Sequence, residues 1–105
     1  MIIKLFSSPE EAKEEVPVGT SRKLIIKGKS YLLIHSSNGF AVSDFLCPHQ
    51  NEPLIKGKMN AFNELICSLH EYRFNLKTGA ESSGRCGGLT LYQIAVKSDG
   101  LYIEI

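Results

Sequence analysis

The stretch RKLIIKGKSYLLIHSSNGFAVSD, residues 22–44, decides the fold. Arg22 to Lys27 and Ser30 to His35 are two runs rich in β-branched and aromatic residues, parted by Gly28-Lys29, a two-residue hairpin candidate. Ser37-Asn38-Gly39 turns the chain again into Phe40 to Asp44, and Asn38-Gly39 is the strongest hairpin signal in the sequence. Three consecutive short strands joined by tight turns predict an antiparallel meander.

Working outward, the same grammar continues. Ile2 to Phe6 reads as a first strand. Ser8-Pro9-Glu10-Glu11 reads as a helix start, with Ser8 as N-cap, Pro9 at the first helical position and Glu11 closing a capping box. Pro17 and Gly19 keep that helix short, and its Glu10 to Glu15 face reads as solvated. Residues 46–60 carry Pro48, Pro53 and Gly57 without a clean period and read as loop. Phe62 to Ile66 and Arg73 to Leu76 are short strands, followed by a turn at Thr78-Gly79. The glycine-rich residues 81–88 form a loop, and Leu89 to Val96 pairs with Leu101 to Ile105 across a turn at Asp99-Gly100. Many short strands and almost no helix predict an all-β antiparallel sandwich or small barrel. Neither repeat nor linker is visible, so residues 1–105 are expected to form a single domain.

Composition excludes more than it specifies. Twelve Lys and Arg against eleven Asp and Glu give a net charge of +1, with no basic run of the kind that binds nucleic acid. No stretch approaches the ~18 apolar residues of a membrane span, and the apolar start is too short for a signal peptide. A cytoplasmic protein is expected. Three cysteines are an odd count, and a reducing compartment disfavours a structural disulfide, so the cysteines read first as metal ligands or inert core residues. With 43% hydrophobic residues the chain can bury one modest core, and a metal site would add stability to so small a domain.

Chemistry concentrates in two segments, Cys47-Pro48-His49 and Cys67-Ser68-Leu69-His70, separated by residues 50–66. Each couples one Cys to one His directly after a β-rich run, so two loops are expected to meet at one end of the sheet. Four such ligands suit zinc or an iron–sulfur site. Structural zinc sites usually pair like with like, whereas here each loop is mixed. A two-iron cluster with both thiolates on one iron and both imidazoles on the other takes one of each from each loop. The mixed pairs fit that arrangement better than a zinc knuckle. His35 has no ligand-like neighbour and reads as a surface or half-buried strand histidine. Cys86 is given no role, and Lys56 and Lys58 read as solvated charges at the edge of the first ligand loop.

The pattern Cys47-x-His49 with Cys67-x-x-His70, followed by Phe74 and Thr78-Gly79, resembles that of Rieske proteins. The resemblance extends over residues 22–105, through Phe40-Ala41-Val42, Pro53-Leu54 and the terminal hairpin from Tyr92. It implies an antiparallel β-sandwich capped at one end by a small cluster-binding subdomain made of the two loops. It further implies one [2Fe–2S] cluster, with Cys47 and Cys67 on the inner iron and His49 and His70 on an outer iron near the surface. Departures matter. Glu52 and Leu69 stand where Rieske proteins of quinol-oxidising membrane complexes carry a disulfide pair. Tyr72 and Phe74 align with a serine and a tyrosine that donate hydrogen bonds to the cluster there, and Glu71 replaces a usual glycine. Fewer donors and an added carboxylate imply a low potential.

The expected function is therefore one-electron transfer by a soluble, monomeric, non-catalytic Rieske-type ferredoxin. It would accept electrons from a flavin or iron–sulfur reductase and pass them to a terminal oxygenase, with neither nucleic acid nor membrane as partner. The alternatives are the small iron–sulfur subunit of an assimilatory nitrite reductase, whose fold is similar, and a structural zinc-binding interaction module.

Overall fold

The computed structural model of the chain describes residues 1–48, 51–69, 71–84 and 87–105. Strand β1 (Ile2–Phe6) leads into helix α1 (Pro9–Glu15), then β2 (Thr20–Ile26), β3 (Lys29–Ser36) and β4 (Gly39–Asp44). A single 3-10 turn (Leu54–Lys56) precedes three short strands, β5 (Lys58–Met59), β6 (Glu64–Ile66) and β7 (Arg73–Asn75). Strands β8 (Leu91–Lys97) and β9 (Gly100–Glu104) end the chain. The six longer strands form one antiparallel sheet in the order β1-β9-β8-β4-β3-β2, and the short ones form a second, β5-β6-β7. The expected antiparallel architecture is observed, including the small cap that carries both ligand loops.

Strand β3 explains how the layers are held. Tyr31 to Ser36 are all buried, which gives the run its continuous apolar character. Alternation then sends its side chains to two different cores. Leu32 and Ile34 pack with Leu54, Leu65, Phe74 and the two cysteines beneath the small sheet. Tyr31 and Leu33 pack with Val42, Leu101, Ile103, Ala12 and Val16 beneath α1. One strand thus ties the ligand-bearing cap to the rest of the molecule.

Helix α1 begins as its sequence dictates, with one refinement. Ser8 Oγ accepts from the Glu11 N–H at 3.1 Å, as an N-cap should. The Glu11 carboxylate reaches back not to Ser8 but to Ser7, accepting from its N–H at 3.0 Å and its hydroxyl at 3.1 Å. At the far end, His35 Nδ1–H donates to the Val16 carbonyl at 2.6 Å, and the ring stacks on Phe40 at 3.9 Å. With only 5% exposure, His35 is more deeply buried than its sequence context indicates. Its role is structural, latching the end of α1 to β3.

Two hairpin turns sit one residue earlier than the sequence signals. Ile26 pairs with Lys29, so the turn residues are Lys27 and Gly28, with φ of 52° and 81°. A two-residue turn with positive φ at both centres matches strand twist, and placing glycine second satisfies it at the cost of one strained lysine. Likewise Ser36 pairs with Gly39, leaving Ser37-Asn38 as the turn and Gly39 (φ 121°) opening β4.

Candidate metal centre

The bases of the two ligand loops are built alike. In the first, Leu46 bridges Pro53 across the loop base, and the Cys47 N–H donates to the Glu52 carbonyl at 2.8 Å. In the second, Ile66 pairs with Arg73, and the Cys67 N–H donates to the Tyr72 carbonyl at 2.8 Å. Each cysteine therefore lies one residue inside the base, and its N–H bonds the carbonyl five residues on. Four residues after each cysteine the backbone turns left-handed, at Asn51 and Glu71, both with φ of 55°. Asparagine tolerates that region, whereas glutamate there costs on the order of 1 kcal/mol.

Folding brings the two cysteines together. Cys47 is 0% exposed and Cys67 1% exposed, and both are free thiols. They face each other closely enough for the Cys67 thiol to hydrogen-bond with that of Cys47. Burial pushes the Cys67 thiol up from its ordinary pKa, opposed by the hydrogen bond from the Leu69 N–H and reinforced by Cys47 and Glu52. Raised in this way, the Cys67 thiol gives up its proton in exchange for a metal when one is supplied. Their walls are Leu32, Leu54, Leu65 and Phe74, all essentially inaccessible to water. His49 and His70 lie outside the described residues, as does Cys86.

Other residues singled out in the sequence fall around this pair. Glu52 is half-buried and ion-pairs with Lys56 at 3.5 Å, while Leu69 packs against the core beside the thiols. Tyr72 is 8% exposed and Phe74 fully buried. The Thr78-Gly79 turn acts as a clasp for the third loop. Gly79 N–H donates to Asn75 and Leu89 N–H donates back to Gly79, both at 2.7 Å. The buried Glu81 carboxylate accepts from the Ser83 N–H at 3.0 Å and from the Ser83 hydroxyl, shaping the loop between.

One feature beside the first ligand loop was not legible in the sequence. Tyr92 donates its hydroxyl to Asp44 at 2.5 Å, and Lys29 Nζ donates to the same phenol oxygen at 3.1 Å. Lys29 and Asp44 of this triad border a cleft of about 560 Å³ that also touches Leu46, Pro48 and Asn51 of the first ligand loop. Its members are separated too widely in sequence to form a local motif.

Comparison with known proteins decides between iron–sulfur and zinc. The model of the Rieske [2Fe-2S] domain matches residues 8–90. The chain belongs to the Rieske [2Fe-2S] domain family. Its Rieske character brings one [2Fe–2S] cluster as cofactor, and the buried thiol pair fits that group. The ferredoxin subunit of a 3-phenylpropionate/cinnamic acid dioxygenase of Photorhabdus laumondii is 31% identical over 93 residues, covering 88% of each chain. The ferredoxin component of an alkene monooxygenase system of Xanthobacter autotrophicus is 35% identical over 48 residues, which are 46% of this chain. That match spans only 39% of the relative's own length.

Among solved structures, the ferredoxin of carbazole 1,9a-dioxygenase from Nocardioides aromaticivorans superposes with a TM-score of 0.79 at 19% identity, covering 98% of this chain and 96% of its own. A candidate NADH-dependent nitrite reductase small subunit from Mycobacterium tuberculosis gives 0.80 at 11% identity, covering 98% and 93%. At these identities the superpositions establish the Rieske fold. Among the described residues, no helix is long and apolar enough to cross a membrane.

Proposed function

We propose that this Rieske protein is a one-electron carrier that holds its cluster on Cys47, His49, Cys67 and His70. It passes electrons from a flavin or iron–sulfur reductase to a terminal oxygenase. The observation that carries this reading is the pair of buried, mutually facing free thiols at equivalent points of two matched loops. When bound, the cluster supplies reversible acceptance of a single electron. The chain's own residues do the rest. Cys47 and Cys67 anchor the inner side, the apolar wall excludes water from it, and the Leu69 N–H stabilises negative charge on Cys67 sulfur. His49 and His70 complete the set from the same loops.

The two curated relatives are ferredoxin components of oxygenase systems, which supports an oxygenase as electron acceptor. The nitrite reductase likeness rests on fold alone and adds no specific residue. Residues 1–105 act as one domain, as a monomer in the cytoplasm, where buried thiols stay reduced until loaded.

Protein-film voltammetry tests the carrier role. One reversible one-electron wave is expected in the lower part of the Rieske range of roughly −150 to +300 mV. Phe74 brings no hydroxyl to the site, and Glu71 places a carboxylate on the second loop. A potential above about +150 mV would contradict the low-potential reading, and the absence of any reversible wave would contradict electron carriage.

A further inference from the structure

The outer face of the small sheet carries an organised charge pattern beside the second ligand loop. Lys58 on β5 pairs with Ile66 on β6, and Ile66 pairs with Arg73 on β7. Residues directly opposite one another in antiparallel strands share a face, so Lys58, Ile66 and Arg73 form one row across the sheet. The two cations stand two strand spacings apart, about 10 Å, on either side of a half-buried isoleucine. The next residue after Ile66 is Cys67. The inner row behind them, Met59, Leu65 and Phe74, belongs to the core.

Gly57 makes this arrangement possible. A Cβ there would lie 2.4 Å from the Ile66 carbonyl oxygen, so only glycine lets the chain pass close enough to set Lys56 and Lys58 against β6. The result is a cleft of about 380 Å³ lined by Lys56, Lys58 and Arg73 together with Cys67 and Ser68. Lys56 is engaged by Glu52. Among the described residues, Lys58 and Arg73 have no ion-pair partner. Glu71, on the same cleft, offsets one positive charge and leaves an excess.

We propose that this Lys58–Ile66–Arg73 row is a docking site for an acidic face of the redox partner, with carboxylates on the two cations and an apolar side chain on Ile66. The inference rests on the electron-carrier reading above, because a partner seated here stands directly against the Cys67 side of the centre. An exposed two-cation row holds no buried donor that would select one small metabolite anion, so a multiply charged ion reports on the row without being its natural occupant. The chain's net charge of +1 gives no extended basic track for nucleic acid. Complementary charge of this kind sets encounter rate and orientation.

The test uses the cluster-loaded protein, 15N-labelled, titrated at fixed ionic strength with hexacyanochromate(III), a redox-inert paramagnetic trianion. Line broadening should centre on the Lys58 and Asn75 amides, and tris(ethylenediamine)chromium(III) should leave them sharp. A Glu-Glu-Leu-Glu-Glu peptide should displace the anion. The double variant Lys58→Gln/Arg73→Gln should bind it about tenfold more weakly, the order expected for two exposed charge pairs, with the cluster's visible absorption unchanged. Broadening that is diffuse or centred elsewhere, or displacement by single-stranded DNA in preference to the peptide, would overturn the proposal. A protein that takes up no cluster, or whose cluster shows no reversible wave, would instead overturn the carrier reading, and the anion map distinguishes the two failures.

Discussion

Cys67→Ser protein is expected to emerge colourless and markedly less stable than the native chain, and Cys47→Ser likewise. Both thiols are sealed from water in an apolar core, so nothing else among the described residues can replace either one there. A serine hydroxyl in the same place is a poor ligand for iron and a polar group set among Leu54, Leu65 and Phe74. The centre also ties the two loops together, so its loss removes folding free energy directly. Losing a structural metal site belongs among the largest single-residue effects, on the order of 4 kcal/mol, which corresponds to a melting temperature lower by about 20 °C for a domain of this size. Iron content, visible absorption and thermal denaturation check this together. Cys86→Ser, by contrast, should load its cluster normally. Retention of the cluster in Cys67→Ser with its loss in Cys86→Ser would show the ligand assignment to be wrong.

Gly79→Ala should destabilise the cap by about 4 kcal/mol, whereas Gly84→Ala in the following loop should cost only about 1 kcal/mol. Both glycines have positive φ, 82° and 72°, so both substitutions introduce backbone strain. They differ in space. A Cβ at Gly79 would lie 2.1 Å from the Leu89 carbonyl oxygen, while one at Gly84 meets nothing within 4 Å. The obstructing atom is backbone, so it can move only by breaking the Leu89-to-Gly79 hydrogen bond that clasps the third loop. Urea denaturation of the two variants measures the difference, and equal losses would mean that strain alone, not the clasp, matters at Gly79. Cluster loss from Gly79→Ala should also be faster, because Leu89 packs in the same core as both cysteines.

The sequence disclosed the architecture because its strands are short, its turns are marked by glycine, and the buried run Tyr31 to Ile34 is long enough to read as sheet core. It located turns less well. At Lys27-Gly28 the pairing register, not the nearest glycine signal, chose which two residues turn, and register is a tertiary property. The burial of His35 was hidden for a related reason. One face of β3 reads as apolar from Leu32 and Ile34, but the other is covered by α1 and distant strands, which local pattern does not reveal.

The sequence offers the proposed site as a list of four ligands in two mixed Cys/His loops, of which the described residues include the two cysteines. That the loop bases match, with left-handed residues at Asn51 and Glu71, depends on backbone conformation that neither residue type announces. The Lys58–Ile66–Arg73 row required knowing three strand partners at once. The lysines alone looked merely solvated.

The central claim is that the paired thiols and the histidines of their loops hold a two-iron cluster. Iron and acid-labile sulfide analysis of the purified protein, read with the EPR spectrum of its reduced form, tests this most directly. Two irons and two sulfides per chain are expected, with an average g below that of all-cysteine clusters because nitrogen ligands sit on the ferrous iron. A colourless protein containing one zinc and no sulfide would contradict it.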